Sequence, residues 1–270
     1  MTLGEQEQGQ PLPATPDPWD PDQYDRFRDQ RRQPFRDLLA LVRARPGMRA
    51  VDLGCGTGET TAELHQTLSA GETLGLDSSP AMLEKCRAVA GGGLRFQLGD
   101  IAGFADERAW DLVFSNAALH WIPDHQELLG RLARALTERG QIAVQVPANH
   151  QQPTHRVAVA VAGEPPFREA LGGFSQPRLV LDPEAYASLL FSLGFRQQTV
   201  RLLVYPHVLD SREQVVEWVR GTTLTPYEAR LGPDLFPRFL ARYRERLFEQ
   251  IPDRRPCFFP FQRILLWAQR

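Results

Sequence analysis

The sequence predicts an α/β fold, in which a doubly wound and mostly parallel sheet carries helices on both of its faces. Short apolar strands alternate with helices between residues 49 and 146, and this spacing is typical of a parallel sheet. The first strand runs into a turn with three closely spaced glycines, which is typical of a ligand site at a sheet edge. The chain has 270 residues, 42% of them hydrophobic and 24% charged, which is enough for a sizeable core.

The first half of the chain supplies the expected alternation in order. An N-terminal helix is expected within residues 19–45, where Pro46 and Gly47 end it. Ser79 is expected to cap a later helix whose first turn begins at Pro80, and Gly140 to end another. The expected elements are strand 49–53, helix 59–68, strand 73–76, helix 80–89, strand 94–98, strand 111–115, helix 124–136 and strand 141–146.

The alternation breaks down after residue 147, where prolines and glycines become frequent. We expect two helical insertions there, at about 147–180 and 221–252. Between and after them we expect helix 184–193, strand 196–205, helix 211–220 and a last strand 258–267. The predicted domain organisation has three parts. Residues 1–18 form a disordered leader, and residues 19–146 form the N-terminal helices and a cofactor-binding core. Residues 147–270 form the remainder of the same core, with a cap made of the two insertions.

Charge and composition narrow the classes of partner. The net charge of −2 argues against bulk electrostatic binding to nucleic acid or to an anionic membrane. No apolar stretch is of membrane length, and because residues 1–18 are polar we expect no signal peptide there. Three cysteines without a Cys-x-x-Cys pair favour a reducing, cytoplasmic location over a disulfide framework. No histidine pair has the further ligands that a metal site needs, and a monomer or a small homo-oligomer is expected.

The glycine-rich turn carries the first functional signal. Residues 51–58 read Val-Asp-Leu-Gly-Cys-Gly-Thr-Gly, so glycines lie at Gly54, Gly56 and Gly58. Dinucleotide enzymes use a Gly-x-Gly-x-x-Gly spacing and place a pyrophosphate on the helix that follows. Here the spacing is Gly-x-Gly-x-Gly, and the carboxylate of Asp52 would repel a pyrophosphate. The pattern suits a ligand with a cationic amine, such as the aminoacyl end of S-adenosylmethionine.

Two more acids end the next two strands. Asp77 can accept both hydrogen bonds from a ribose diol, a contact that fits S-adenosylmethionine and NAD equally well. Asp100 can accept from an adenine amino group, while Met82 and Ile101 enclose the ring. Three acids at the ends of three successive strands indicate a nucleoside ligand.

With these residues assembled, the chain resembles the class I S-adenosylmethionine-dependent methyltransferases. Residues 52–58 resemble the first motif of that superfamily. Residues 76–82 and 110–125 are similar to the corresponding stretches of the trans-aconitate 2-methyltransferase family, and so are residues 19–34, residues 217–227 and Arg263. The resemblance implies a Rossmann-like sheet of seven strands with an antiparallel last strand. It also implies methylation of one carboxylate on a small polycarboxylic acid such as trans-aconitate, with S-adenosylhomocysteine as the second product.

The motifs and the resemblance together supply the candidate site residues. For the cofactor these are Asp52, Gly54, Cys55, Gly56, Gly58, Asp77, Ser78, Met82, Asp100, Ile101, Asn116 and Ala117. For an anionic substrate they are Tyr24, Arg31, His120, Trp121, Arg220, Tyr227 and Arg263. At His120 the chain departs from the glutamine that the resemblance leads us to expect.

The expected mechanism is in-line displacement at an activated methyl group, without an obligatory general base. A carboxylate acceptor is already ionised at pH 7, so the protein must mainly align it and exclude water. No catalytic base is assigned, and His120 is the candidate for a catalytic role. The alternatives are a small-molecule O-, N- or C-methyltransferase with a different acceptor, an NAD-dependent oxidoreductase, and a binding module that retains the fold without the activity.

Overall fold

The computed structural model describes residues 28–270, with side chains from residue 32 onward. The expected leader and Tyr24 lie outside this range, and so does the side chain of Arg31. The described strands are β1 (Arg49–Leu53), β2 (Glu72–Asp77), β3 (Leu94–Leu98), β4 (Trp110–Asn116), β5 (Leu136–Pro147), β6 (Gln197–Leu209) and β7 (Cys257–Gln269). The described α-helices are α1 (Arg28–Leu39), α2 (Glu59–Leu68), α3 (Pro80–Cys86), α4 (His125–Ala135), α5 (Pro153–Ala162), α6 (Phe167–Ala170), α7 (Pro183–Ser192), α8 (Arg212–Arg220) and α9 (Thr225–Phe248).

The seven strands form one sheet in the order β3-β2-β1-β4-β5-β7-β6. Strands β1 to β5 pair in parallel, whereas β7 is antiparallel to both β5 and β6. The predicted seven-stranded, doubly wound sheet with an antiparallel last strand is therefore confirmed. Because β1 and β4 lie at the centre, their carboxyl ends meet at the point where the strand order reverses, which is where ligands bind in such sheets.

Each face of the sheet is covered by its own set of helices. On one face, Phe35 and Leu38 of α1 pack with α2 against Leu112 and Phe114 of β4. On the other face α4 and α7 cover the alternate residues of the same strands, such as Val113. Parallel strands buried on both faces have apolar residues on both sides, which is why the middle of β1 (Ala50 and Val51) and of β4 (residues 112–114) is a continuous apolar run.

The predicted insertions contain α5 and α6 in the first and α9 in the second. These helices pack with α8 and with the far end of the β6–β7 pair around a third group of buried residues, here called the helical cluster. Its largest fully buried members are Tyr227, Phe239 and Tyr243. Among residues 28–270, no helix is both long and apolar enough to span a bilayer.

Several element boundaries differ from the expectation: α3 ends at Cys86 rather than near residue 89, β6 extends to Leu209 rather than 205, and two further differences have a clear physical cause. Helix α1 ends at Leu39 rather than near residue 45, because the side chain of Gln141 hydrogen-bonds both the N–H and the carbonyl of Arg43 and draws the backbone out of the helix. Gly140 does not end a helix. Helix α4 stops at Ala135, and β5 begins at Leu136, which pairs with Trp110 before the register shifts.

Candidate active site

The glycine-rich turn leaves β1 and is tied to the neighbouring strand. The backbone N–H groups of Gly54 and Cys55 both donate to the carbonyl of Leu76, at 2.8 and 3.1 Å. Gly54 has a φ of +80°, and a Cβ placed there would lie 2.2 Å from the Cβ of Ala118. Glycine is therefore required at Gly54 by both conformation and space. Gly56 also has a positive φ, but a Cβ there would meet nothing within 4 Å, so that side of the turn is open to a ligand.

Asp77 fixes the turn from the end of β2. Its Oδ2 accepts the N–H of Gly56 at 2.8 Å, and its Oδ1 accepts the N–H of Ser79 at 2.9 Å. Asp100 plays a similar part at the end of β3, where Oδ1 accepts the N–H of Ala102 at 2.9 Å. Each carboxylate oxygen has a second lone pair, so both acids retain acceptors for hydroxyl or amino groups of a ligand.

These acids open onto one cavity at the carboxyl edge of the sheet, here called the sheet-edge pocket. Its lining consists of Gly54, Gly56, Asp77, Ser78, Met82, Asp100, Ile101, Asn116, Ala117, Ala118, Trp121 and Ile122. Most of the expected cofactor residues are thus brought together, and Trp121 joins them. Ala118 and Ile122 were missed by the sequence reasoning, although they lie next to predicted residues in the same stretch.

Three expected cofactor residues, Asp52, Cys55 and Gly58, are not part of this lining. Cys55 is buried, and its hydrogen bond with Cys86 raises the pKa of its thiol, which keeps it neutral. Gly58 has a φ of +79° and precedes α2, and a Cβ there would come within 2.9 Å of the Cys86 sulfur. Both residues lie on the side of the turn that faces Cys86 and not on the side that lines the pocket. Direct contact of Cys55 and Gly58 with the cofactor stays a prediction.

Asp52 lies in β1, two residues before Gly54, and is buried with 3% of its surface exposed. The hydroxyl of Thr61 donates a 2.6 Å hydrogen bond to its Oδ2. Burial raises the pKa of Asp52 to about 7, against the lowering effect of Thr61. A cationic amine brought near this carboxyl would stabilise its ionised form. The predicted contact with the amine of the cofactor is chemically reasonable but stays a prediction.

A band of polar side chains leads away from the sheet-edge pocket across one face of the sheet. Asn116 of β4 is the register partner of Gln145 of β5. The next strand across the sheet is β7, where Arg263 lies on the same face as Gln145. Arg263 is buried, with 4% exposed. Its Nη1 donates to Oε1 of Gln145 at 3.2 Å, and its guanidinium lies 4.7 Å from the ring centre of Phe261. The predicted substrate cation is thus inside the protein, bonded to Gln145, whose register partner Asn116 lines the pocket.

His120 lies beside this band, in the short 3₁₀ turn after β4, with its ring 4.7 Å from that of Trp121. Burial and the positive charge of Arg263 lower the pKa of His120 to about 3, so its imidazole is neutral at pH 7. Sequence reasoning missed His207, whose ring lies tilted against that of Phe261 at 5.7 Å. Burial and Arg263 lower the pKa of His207 to about 4.

The remaining predicted substrate residues lie with the helical cluster. Arg220 is partly exposed and pairs with Glu228 at 3.5 Å. Tyr227 is fully buried, stacks on Phe239, and accepts a hydrogen bond from the N–H of Gln176 at 3.2 Å through its hydroxyl. The structure therefore gathers Arg263, His120 and Trp121 near the pocket but engages Arg220 and Tyr227 elsewhere, and their substrate role stays a prediction.

The chain is similar to known methyltransferases in sequence and in structure. Residues 44–162 match the model of a methyltransferase domain family. A trans-aconitate 2-methyltransferase of Deinococcus radiodurans is 46% identical over 258 residues, which cover 93% of this chain and 98% of that protein. The chain belongs to the trans-aconitate 2-methyltransferase family. Its members are S-adenosylmethionine-dependent methyltransferases, so the chain is an enzyme of this class, and S-adenosylmethionine is its cofactor.

Solved structures support the fold. The YcgJ protein from Bacillus subtilis superposes with a TM-score of 0.59 at 15% identity and covers 88% of this chain and 98% of its own. A phosphoethanolamine N-methyltransferase from Haemonchus contortus, solved with S-adenosylmethionine, superposes with a TM-score of 0.52 at 15% identity, covering 88% of this chain and 52% of that one. The sheet-edge pocket fits the cofactor, because it combines an open glycine backbone, two carboxylates and an apolar floor of Met82 and Ile101.

Proposed function

We propose that this enzyme transfers a methyl group to a carboxylate of a small polycarboxylic acid such as trans-aconitate. The observation that carries the proposal is the buried guanidinium of Arg263, at the far end of the polar band that begins at the cofactor pocket. A desolvated guanidinium binds carboxylates through two parallel hydrogen bonds, which gives both affinity and orientation. The name of the Deinococcus relative, which is nearly half identical, supports the same substrate class.

The cofactor is held by the residues of the sheet-edge pocket. In this proposal Asp77 accepts from the ribose hydroxyls, Asp100 accepts from the adenine amino group, and Met82 and Ile101 enclose the ring. The backbone at Gly56 leaves room for the aminoacyl part. When bound, S-adenosylmethionine supplies an activated sulfonium methyl group that is transferred to the acceptor oxygen by in-line displacement.

Proton transfer is not needed on the acceptor side. A carboxylic acid with an ordinary pKa near 4 is ionised at pH 7 and attacks without a base. His120, whose pKa of about 3 makes it a very weak base, is suited to hydrogen-bonding and to lining the acceptor pocket. The contribution of the protein is therefore positioning and exclusion of water, which can be worth roughly 7–11 kcal/mol.

The test is methyl transfer from labelled S-adenosylmethionine to a panel of polycarboxylic acids, monocarboxylic acids, phenols and amines. We expect methyl esters of polycarboxylic acids as the main product, and preferential methylation of a phenol or an amine would overturn the proposal. Arg263→Gln is expected to raise the KM for the acid by about 100-fold, because a buried charge partner is lost, without changing S-adenosylhomocysteine binding. Arg201→Gln, at an exposed position on the neighbouring strand β6, is the matched control.

A further inference from the structure

Two glutamines of β5 point to the same face of the sheet, and both are fully buried. Only in one of them does each polar side-chain atom have a hydrogen-bond partner. Gln141 donates from Nε2 to the carbonyl of Arg43 at 2.9 Å. Its Oε1 accepts from the N–H of Arg43 and from Nε1 of Trp267, both at 2.9 Å. Every polar atom of this side chain is used to join strands to the loop after α1. Gln141 is therefore a structural residue.

Gln145, four residues further along the same face, is different. Its Oε1 accepts from Nη1 of Arg263, but its Nε2 is buried and has no hydrogen-bond partner within the part of the chain that the structure describes. Leaving a buried amide donor unmatched costs free energy, and such groups call for an explanation. Because Nε2 and Oε1 share one carbon atom, the unmatched donor lies beside the guanidinium of Arg263.

The neighbour of Gln145 on β4 belongs to the cofactor pocket. Asn116 is the register partner of Gln145 and lines the sheet-edge pocket. The Oδ1 of Asn116 is likewise buried without a hydrogen-bond partner among the described residues. Across the sheet the order is Asn116 on β4, Gln145 on β5 and Arg263 on β7. Gln145 thus lies between a residue of the cofactor pocket and the buried cation, which is where an acceptor bound by Arg263 would meet the cofactor.

Building on the acid methylation proposed above, we propose that Gln145 is a substrate-binding and specificity-determining residue. Its Nε2 donates a hydrogen bond to the same carboxylate that Arg263 binds, while its Oε1 holds the guanidinium in place. The two side chains form a receptor with one positive charge and donors from two strands. A neutral amide at this position is important, because a carboxylate there would pair with Arg263 and repel an anionic acceptor.

Two substitutions test this assignment. Gln145→Met keeps the volume and removes the amide, and we expect the KM for the acid to rise by about 10-fold, in keeping with the loss of one charge-assisted hydrogen bond. Gln145→Glu is expected to raise the KM further, by about 100-fold, because its charge neutralises Arg263. In both variants S-adenosylhomocysteine should bind as in the wild type.

Gln141→Met is the matched control, since it removes a glutamine from the same strand and the same face. It should lower Tm through the loss of three buried hydrogen bonds and leave the KM unchanged. Gln145→Met should lower Tm less than Gln141→Met, because the removed amide was only partly satisfied. An unchanged KM in both Gln145 variants, or a Gln145→Met variant that loses Tm and cofactor binding as a misfolded core would, overturns the assignment.

The two proposals fail in different ways. If the wild-type enzyme methylates no polycarboxylic acid, the proposed function fails before any variant is measured. If the wild type methylates the acid and Arg263→Gln raises its KM, but the Gln145 variants behave as the wild type, then only the role of Gln145 is wrong.

Discussion

Thr61 donates a 2.6 Å hydrogen bond to the carboxyl of Asp52, and both side chains are buried beneath the glycine-rich turn. The hydrogen bond favours the ionised carboxyl, but burial disfavours it more strongly and raises the pKa of Asp52 to about 7. The cofactor-free enzyme therefore holds at its sheet edge an acid that titrates near neutral pH. The effect of this titration on stability has a definite sign.

Asp52 should make the cofactor-free protein less stable as the pH rises. The folded state holds this proton up to a pH of about 7, whereas the unfolded chain releases it near 3.8. The stabilisation is full below 3.8 and is lost as the pH rises to 7, by on the order of 4 kcal/mol in total. The free energy of unfolding of the wild type and of Asp52→Asn, measured by chemical denaturation between pH 4 and pH 8, tests this loss of stability. The variant should lack this part of the pH dependence, and identical pH dependences would contradict the prediction.

Gly56→Ala should separate backbone strain from loss of the cofactor site. The added Cβ meets no protein atom within 4 Å, but the positive φ of 56° costs an L-residue about 1–2 kcal/mol of stability. The methyl group would occupy the open side of the turn, so we expect S-adenosylhomocysteine to bind at least about 10-fold more weakly by calorimetry.

The control for this substitution is Gly172→Ala, at a glycine with a φ of 59° and equally open surroundings in the turn after α6. It should lose a similar amount of stability and bind the cofactor product normally. Equal loss of binding in both variants would show that strain alone, and not the position of Gly56, explains the effect.

Asp77→Asn should weaken cofactor binding through both charge and geometry. One of the two oxygens that accept the N–H groups of Gly56 and Ser79 becomes a donor, and the charge available to the ribose hydroxyls disappears. We expect the Kd for S-adenosylhomocysteine to rise by about 10- to 100-fold, since hydrogen bonds to charged groups are worth roughly 1.5–3 kcal/mol. Asp111→Asn is the control, because Asp111 lies at the amino-terminal end of β4, away from the pocket. It loses comparable contacts with Arg49 and Thr137 and should leave the Kd for S-adenosylhomocysteine unchanged.

The parts of the fold that follow from local patterns could be predicted from the sequence. The alternation of apolar strands and helices indicated the parallel sheet, and Ser79 caps α3 as expected, accepting the N–H of Met82 at 3.1 Å. The end of α1 could not be predicted, because it depends on hydrogen bonds between Arg43 and Gln141, which are far apart in the sequence. The start of β5 depends in the same way on its pairing with Trp110 of β4.

The residues of the candidate site also fall into those that follow from local patterns and those that depend on long-range contacts. The glycines, Asp77 and Asp100 follow their strands directly, so their convergence at one edge could be predicted. Gln145 and His207 could not be found, because one must know how β7 pairs with β5 and β6 to see that both lie near Arg263. The identity of a single tyrosine or glutamine in the sequence does not indicate which group its polar atoms hydrogen-bond in the folded protein.

His120→Gln should leave the chemical step largely intact. A side chain whose pKa is lowered to about 3 is neutral throughout the working pH range, so removing its basicity removes nothing that a carboxylate acceptor needs. We expect kcat at saturating S-adenosylmethionine and acid to change by less than about 10-fold, which is below the usual contribution of a general base. The profile of kcat between pH 5.5 and pH 8.5 should have the same shape in both enzymes. A rising limb with a pKa near 6.5 that is present in the wild type and lost in His120→Gln would instead make His120 the base, and would point to an acceptor that must lose a proton.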